Sequence, residues 1–402
     1  MMVVNRKWAV VLTGTIQVTE ATQVAQVASE VTPQTGELIS AKSHTSNNFD
    51  FLRFVAASSV IWYHTPVFLG RGVDPLGQWT GHLDTGSLAV IFFFVISGFL
   101  ITQSFYRNNS VLSFIVNRFL RIWPPLVVVL LLCSFCLGPV VTEFSRSQYF
   151  ADPHLFSYLQ NVFCMQSYNV LPGVFEHNHH REVINGSLWT IPVEVFMYAV
   201  TLALGICGCL KNRFALAAVF AALLVYDMQV VSATAVGAQQ FLWLPAQLET
   251  SKFALMYLMG ANYYANRHSI KISWQIALIV SILLIGSYHT PHARLAEIFC
   301  LPYLVMFAAY LPVRGLNNFG KYGDFSYGMY LYGFPVQQTL WLVTQGHISQ
   351  FKFTAISLVI SFAFAFLSWH LIEKPAMSLK RFFKPKRKLE CSDSVLVYHK
   401  NI

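Results

Sequence analysis

From Asn47 onward the chain alternates long apolar runs with short polar connections, and most of the runs are too long for buried strands or short core helices. A bilayer interior takes about 20 mostly apolar residues per helix, because each backbone N–H and C=O must find its partner within the segment. On that criterion the pattern predicts ten spans, near residues 50–69, 87–106, 119–142, 187–208, 214–233, 246–265, 272–289, 295–313, 325–346 and 354–373. The expected fold is all-α, a polytopic integral membrane protein of about ten transmembrane helices. The connection at 143–186 is the longest, and its apolar piece Phe156 to Met165 predicts an interfacial or re-entrant helix. Residues 1–46, rich in Thr, Val, Gln, Ser and Ala without a spanning run, read as a poorly ordered extension; 47–376 form the membrane domain and 377–402 a basic tail. No signal peptide is predicted, since Trp8 to Leu12 is too short an apolar run.

Composition agrees with the pattern. Charged residues make up 11% of the chain, against about 25% in a soluble domain whose surface must face water. The mean hydropathy is +0.50. The net charge of +9 raises the question of nucleic acid, but much of the excess sits in Lys374, Lys380, Arg381, Lys384, Lys386, Arg387 and Lys388, just past the last apolar run. That is where a cytoplasmic cluster facing membrane lipids belongs, so no nucleic-acid partner is expected. Lys and Arg are also denser in the connections around Arg107 to Arg121, Lys211 to Arg213, Arg267 to Lys271 and Arg314 to Lys321 than in the alternate ones. Both termini are therefore expected to be cytoplasmic, which suits an even number of spans. The seven cysteines offer no disulfide framework, and Cys133-Ser-Phe-Cys136 reads as buried apolar packing. The stretch Glu176-His-Asn-His-His-Arg-Glu182 reads as a solvated polar loop rather than a metal site.

Against this apolar background the retained polar groups carry the chemistry. Arg53 and His64 share the first span; eleven residues at 100° each bring them within about 20° of one helix face, about 16 Å apart. Ionisable groups inside a bilayer face a protein interior or a wet cavity, so this face suggests a polar passage; a snorkelling Arg and a hydrogen-bonded core His are the bland alternative. Glu194, early in the fourth span, needs a partner, a proton or a cation, and Arg53, Arg118 and Arg121 are available. Its near neighbour Pro192 predicts a local break in the helix. Arg118 and Arg121 have the i, i+3 spacing that sets two guanidinium forks on one face at a helix start, suited to phosphate or to plain membrane anchoring. Ser97-Gly98 makes a small notch in an aromatic span, open to a close helix or a ligand.

Taken in order, these stretches resemble the membrane acyltransferase-3 family, which includes O-antigen, exopolysaccharide and Nod-factor O-acetyltransferases. The resemblance rests on Asn48-Phe-Asp-Phe-Leu-Arg53, Trp62-Tyr-His64, Phe93-Phe-Val-Ile-Ser97-Gly-Phe-Leu, Arg118-Phe-Leu-Arg121-Ile-Trp-Pro124, Ser187-Leu-Trp-Thr-Ile-Pro-Val-Glu194, Ser326-Tyr-Gly-Met-Tyr-Leu-Tyr-Gly-Phe-Pro335 and Leu371-Ile-Glu-Lys-Pro375. It implies transfer of an acyl group, commonly acetyl, from acyl-CoA to a carbohydrate hydroxyl, in a bacterial inner membrane and with no tightly bound cofactor. Arg53 and His64 match the family's Arg and His of the first helix, and Glu194 matches its acid. Arg118 and Arg121 match a motif tied to the acyl donor, with Ser97 and Trp189 as further expected contacts to acyl-CoA. Where this chain has Tyr332-Gly333, many relatives carry Trp-His, so no role is carried over to that position. The competing class is a proton-coupled transporter or flippase in which Arg53, His64 and Glu194 form a relay; no related halves are visible in the sequence.

Overall fold

The computed structural model describes residues 47–383 apart from 73, 108–109, 236–247 and 314. The expected N-terminal extension and the tail beyond Phe383 lie outside the described residues. Within them the fold is all-α: there is no β-strand, only one isolated bridge between Val170 and Val183.

Among the described residues, ten helices of 14 to 23 residues stand where the apolar runs lie. They are α1 (Phe49–Leu69), α2 (Thr85–Arg107), α3 (Val111–Leu131), α4 (Thr190–Ile206), α5 (Arg213–Ala235), α6 (Leu248–Ala265), α7 (Trp274–Ser287), α8 (Ala293–Tyr310), α9 (Ser326–Thr344) and α10 (Gln350–Ser368). Among the described residues, five stretches are long and apolar enough to cross a membrane: α2, α3 with its extension to Val141, α4 with its opening turn, α8, and α10 with its extension to Phe383. Outward-facing apolar side chains such as Val343, Phe351, Val359 and Leu371 are exposed, as a lipid-facing surface requires.

Three local features differ from the sequence reading. First, α3 begins at Val111, not near 119, because Ser110 caps it by accepting from the Ser113 N–H, 3.3 Å away. Arg118 and Arg121 therefore lie two to three turns inside a helix rather than at its start. Second, Pro192 does not break α4. A 3₁₀ turn, Gly186–Trp189, leads into the helix, and Pro192 falls in its first turn, where the missing N–H has no intrahelical carbonyl to serve. Third, the 143–186 connection holds more helix than the single piece expected at Phe156 to Met165. It holds the helices Arg146–Ala151 and Pro153–Leu159 and a 3₁₀ turn at Gln160–Phe163, and it packs on the bundle.

Two close contacts organise the bundle. The α2–α6 contact is the most extensive, because both helices carry a glycine at the crossing. A Cβ on Gly98 would stand 1.9 Å from the Tyr257 carbonyl oxygen, and one on Gly260 would stand 2.1 Å from that of Val95. The Gly98 half of the Ser97-Gly98 notch thus serves helix packing. Beyond α3 the chain continues through a π-helical segment, Leu132–Leu137. There the Tyr149 hydroxyl donates to the Ser134 carbonyl (2.8 Å) and rests against Gly138.

Buried ion pairs join α5, α6 and α8. Lys252 and Glu297 meet at 2.6 Å, and His82 reaches the other oxygen of Glu297 at 2.9 Å. Arg294 grips Asp227 with Nε and Nη2, at 3.0 and 2.7 Å.

Candidate active site

The polar centre lies where α1, α3, the turn before α9 and the end of α10 converge. Arg53 Nη1 and Arg121 Nη2 both reach the same oxygen of Asp324, Oδ2, at 2.6 and 2.5 Å. Ser326 holds the other oxygen, donating from its backbone N–H (3.2 Å) and its Oγ (2.5 Å). Arg121 also pairs with Glu373 at 3.1 Å, and Ser368 donates to the far oxygen of Glu373 at 3.0 Å. Glu373 sits in a π-helical turn, Trp369–Glu373, that extends α10. Two arginines that would each be costly alone in an apolar bundle thus share two carboxylates.

Arg118 takes a different course from Arg121. Its guanidinium lies over the Tyr198 ring, 5.8 Å from the centroid. Among the described residues no carboxylate pairs with it, and its Nε makes no hydrogen bond. Glu194, for which an arginine was the expected partner, instead accepts a hydrogen bond from the Tyr198 hydroxyl. The chain Glu194–Tyr198–Arg118 links the acid to the arginine through the aromatic ring.

These groups enclose two adjoining cavities. A larger one, about 420 Å³, is lined by Arg53, Ser97, Arg118, Arg121, Asp324 and Lys380, with Tyr198, Asn117 and Trp369. A narrow one continues inward past Arg53, Ser97 and Arg121 to Glu194, Tyr327 and Tyr330. The sequence-predicted residues Arg53, Ser97, Arg118, Arg121 and Glu194 are therefore brought together. Trp189 is not: it packs on Phe253, 5.7 Å between centroids, outside both cavities.

His64 stands apart, lining neither cavity. Its ring meets Phe334 at 5.2 Å and Phe68 at 6.1 Å. Gln337 on α9 fixes this part of α1, donating to the Ile61 carbonyl (2.8 Å) and the Thr65 hydroxyl (3.2 Å). At Gly333 a Cβ would stand 2.8 Å from the Ile61 side chain, so the Tyr-Gly departure serves close packing of α9 on α1. The inner cavity ends at Tyr330, and Phe334, one helical turn on, touches His64. The passage suggested by the shared face of Arg53 and His64 is thus narrowed by aromatic rings between the two.

Asp324, Glu373 and Tyr198 were not singled out from sequence. Glu373 lies in the Leu371–Pro375 stretch, and a carboxylate at the end of an apolar run is itself a cue. Asp324 gives none, because it sits in an ordinary polar connection. Among the described residues no three His, Cys, Asp or Glu side chains gather as a metal site would require.

Comparison with known proteins places this geometry in a family. A family model described as an acyltransferase domain matches residues 46–370, most of the chain. An O-acetyl transferase of Shigella phage Sf6 is 29% identical over 335 residues, covering 82% of this chain and 96% of the relative. Nodulation protein 10 of Rhizobium leguminosarum bv. viciae is 30% identical over 360 residues, covering 85% of this chain and 96% of that relative. No solved structure matches. With this match over most of the helical region, the chain belongs to the acyltransferase-3 family and is a membrane acyltransferase.

Proposed function

We propose that the enzyme moves an acyl group, acetyl in the first instance, from acyl-CoA to a hydroxyl of a surface carbohydrate such as lipopolysaccharide O-antigen or exopolysaccharide. In this reading it sits in a bacterial inner membrane with both termini cytoplasmic, residues 143–186 face outward, and acyl-CoA is a substrate rather than a tightly bound cofactor. The observation that carries the donor assignment is Arg118. Asp324 and Glu373 neutralise Arg53 and Arg121, whereas Arg118 brings a charge with no carboxylate partner among the described residues to a cavity that Lys380 also lines. A guanidinium so placed matches the phosphates of CoA, which it binds through paired N–H donors. The inner cavity then accommodates the thioester arm, with Arg53 and Ser97 along its wall.

Beyond the aromatic rings that end the inner cavity, His64 acts as general base. The acceptor oxygen attacks the thioester carbonyl, its proton passes to His64, and the carbon–sulfur bond breaks as acceptor ester and CoA thiolate form; the imidazolium then gives its proton up through water, the thiolate takes one up, and His64 returns to its neutral form. Attack by His64 itself, through an acyl-histidine, is the covalent variant of the same step. Arg53 stabilises the negative charge that develops on the thioester oxygen, and Glu194 orients the arm through Tyr198.

The test is kinetic, on purified protein in lipid nanodiscs. Arg118→Gln removes a charged hydrogen bond worth about 1.5–3 kcal/mol, so KM for acetyl-CoA rises roughly ten- to hundredfold. Thermal stability and acceptor KM stay near wild type. An unchanged KM for acetyl-CoA in this variant would remove the donor site from that cavity.

A further inference from the structure

The 143–186 connection ends in a lattice of buried amides pinned to α9. Asn178, 1% exposed, donates to the carbonyl and side-chain oxygens of Gln338, at 3.0 and 2.7 Å. Gln338, itself fully buried, donates to the carbonyls of His180 (2.7 Å) and Val183 (2.6 Å). Asn185 donates to the Leu331 carbonyl at 2.9 Å. Buried amides are costly unless their donors are satisfied, as these are, and the result is a backbone at His180 that is held in place.

What is held is an imidazole in the same aromatic cluster as His64. The His180 ring meets Phe68 at 5.7 Å and Phe334 at 5.6 Å, both edge-on. His64 meets the same two rings, and the phenyl rings stand 4.9 Å apart. Among the described residues neither imidazole ring is hydrogen-bonded, and both are partly open to the surface. The adjoining His179 ring rests on Gly70, whose left-handed φ of 62° ends α1; a Cβ there would stand 2.7 Å from that ring. The loop and the end of α1 therefore fit together at the two histidines.

We propose that His180 is an acceptor-binding residue, forming with His64 a two-histidine site for a polyol such as a sugar ring. His64 takes the proton of the hydroxyl that is acylated, and His180 hydrogen-bonds a neighbouring hydroxyl of the same sugar and so selects which one is presented. Burial and the neighbouring His179 hold the proton affinity of His180 below the usual histidine range. It is thus a neutral ring at pH 7, with one nitrogen to accept and one to donate. The proposal rests on the acyltransferase reading above, since it names the acceptor side of the same reaction.

The experiment uses full-length protein in nanodiscs with radiolabelled acetyl-CoA and a panel of methyl hexopyranosides as soluble acceptors. His180→Phe keeps an aromatic ring against Phe68 and Phe334 and removes both nitrogens, so the fold survives. Acceptor KM should rise about tenfold, with acetyl-CoA KM and acceptor-independent acetyl-CoA hydrolysis within twofold of wild type. His180→Gln, which restores a donor and an acceptor, should recover part of the loss. Equal acceptor KM in wild type and His180→Phe overturns the inference and leaves the acyltransferase reading standing. A parallel loss of donor and acceptor parameters that Gln does not rescue overturns it too, as a purely structural role. If the wild type acylates no glycoside, the carbohydrate acceptor itself is wrong and the inference falls with it.

Discussion

Arg53 Nη1 lies 2.6 Å from Asp324 Oδ2, so a carboxylate 271 positions along the chain fixes the arginine of the first helix. Because the same oxygen binds Arg121, the carboxylate separates two guanidiniums that would otherwise repel. Asp324→Asn keeps the shape and removes the charge. The expected cost is about 3 kcal/mol of stability, read as a lower unfolding temperature in detergent, together with loss of acyl transfer. Asp324→Glu should restore part of both. Wild-type activity in Asp324→Asn would show that the position of Arg53 does not matter to the reaction.

The two arginines of the Arg-x-x-Arg stretch should behave differently. Arg121→Gln strands Glu373 and half of the Asp324 charge inside the bundle, so it destabilises by about 3–5 kcal/mol as well as lowering activity. Arg118→Gln leaves no buried carboxylate behind, and its unfolding temperature should match wild type. Differential scanning fluorimetry of the two purified variants checks this, and equal melting shifts would contradict the ion-pair assignment.

The ionic contacts of α6 and α8 make a third case. Lys252 is 2% exposed and Glu297 is fully buried. Lys252→Met alone leaves the carboxylate of Glu297 with only His82, at a cost of about 3–5 kcal/mol. Adding Glu297→Leu should recover most of that loss, because an apolar pair of similar volume avoids the desolvation cost altogether. A double variant no more stable than the single one would show that His82 and Glu297 matter beyond pairing with Lys252.

How far the sequence could go is clear from particular residues. The helices were legible because a bilayer imposes one length and one composition on each span, and the ends of α1 and α2 fall within two residues of the expected ones. Arg53 and Arg121 stood out because a charge in an apolar run needs a reason. Asp324 did not, since in a polar turn a carboxylate is ordinary, and only the fold brings it to Arg53. His180 was hidden in the same way, among the polar residues of Glu176–Glu182, where no periodicity marks which side chain points inward. The π-helical turns at Leu132–Leu137 and Trp369–Glu373 are likewise silent in an apolar pattern, which does not register one extra residue in a turn.

Gly98→Ala tests the crossing of α2 and α6. Alanine favours an isolated helix over glycine by about 1 kcal/mol, but the new methyl would stand 1.9 Å from the Tyr257 carbonyl oxygen, which is backbone and cannot swing aside. The net effect is destabilisation of about 1–3 kcal/mol, measurable by thermal unfolding. A melting temperature at or above wild type would mean that the helices separate without cost.

The 143–186 connection is fastened at both ends to different helices, by Tyr149 to the π-turn after α3 and by Asn178 through Gln338 to α9. A flap that swings on a hinge needs one loose edge, and this segment has none: lifting it would break a buried hydroxyl contact on one side and an amide lattice on the other. It behaves as a fixed wall that carries His180 beside the rings that His64 touches. Any access to His64 therefore has to be found with the segment in place rather than by its lifting away.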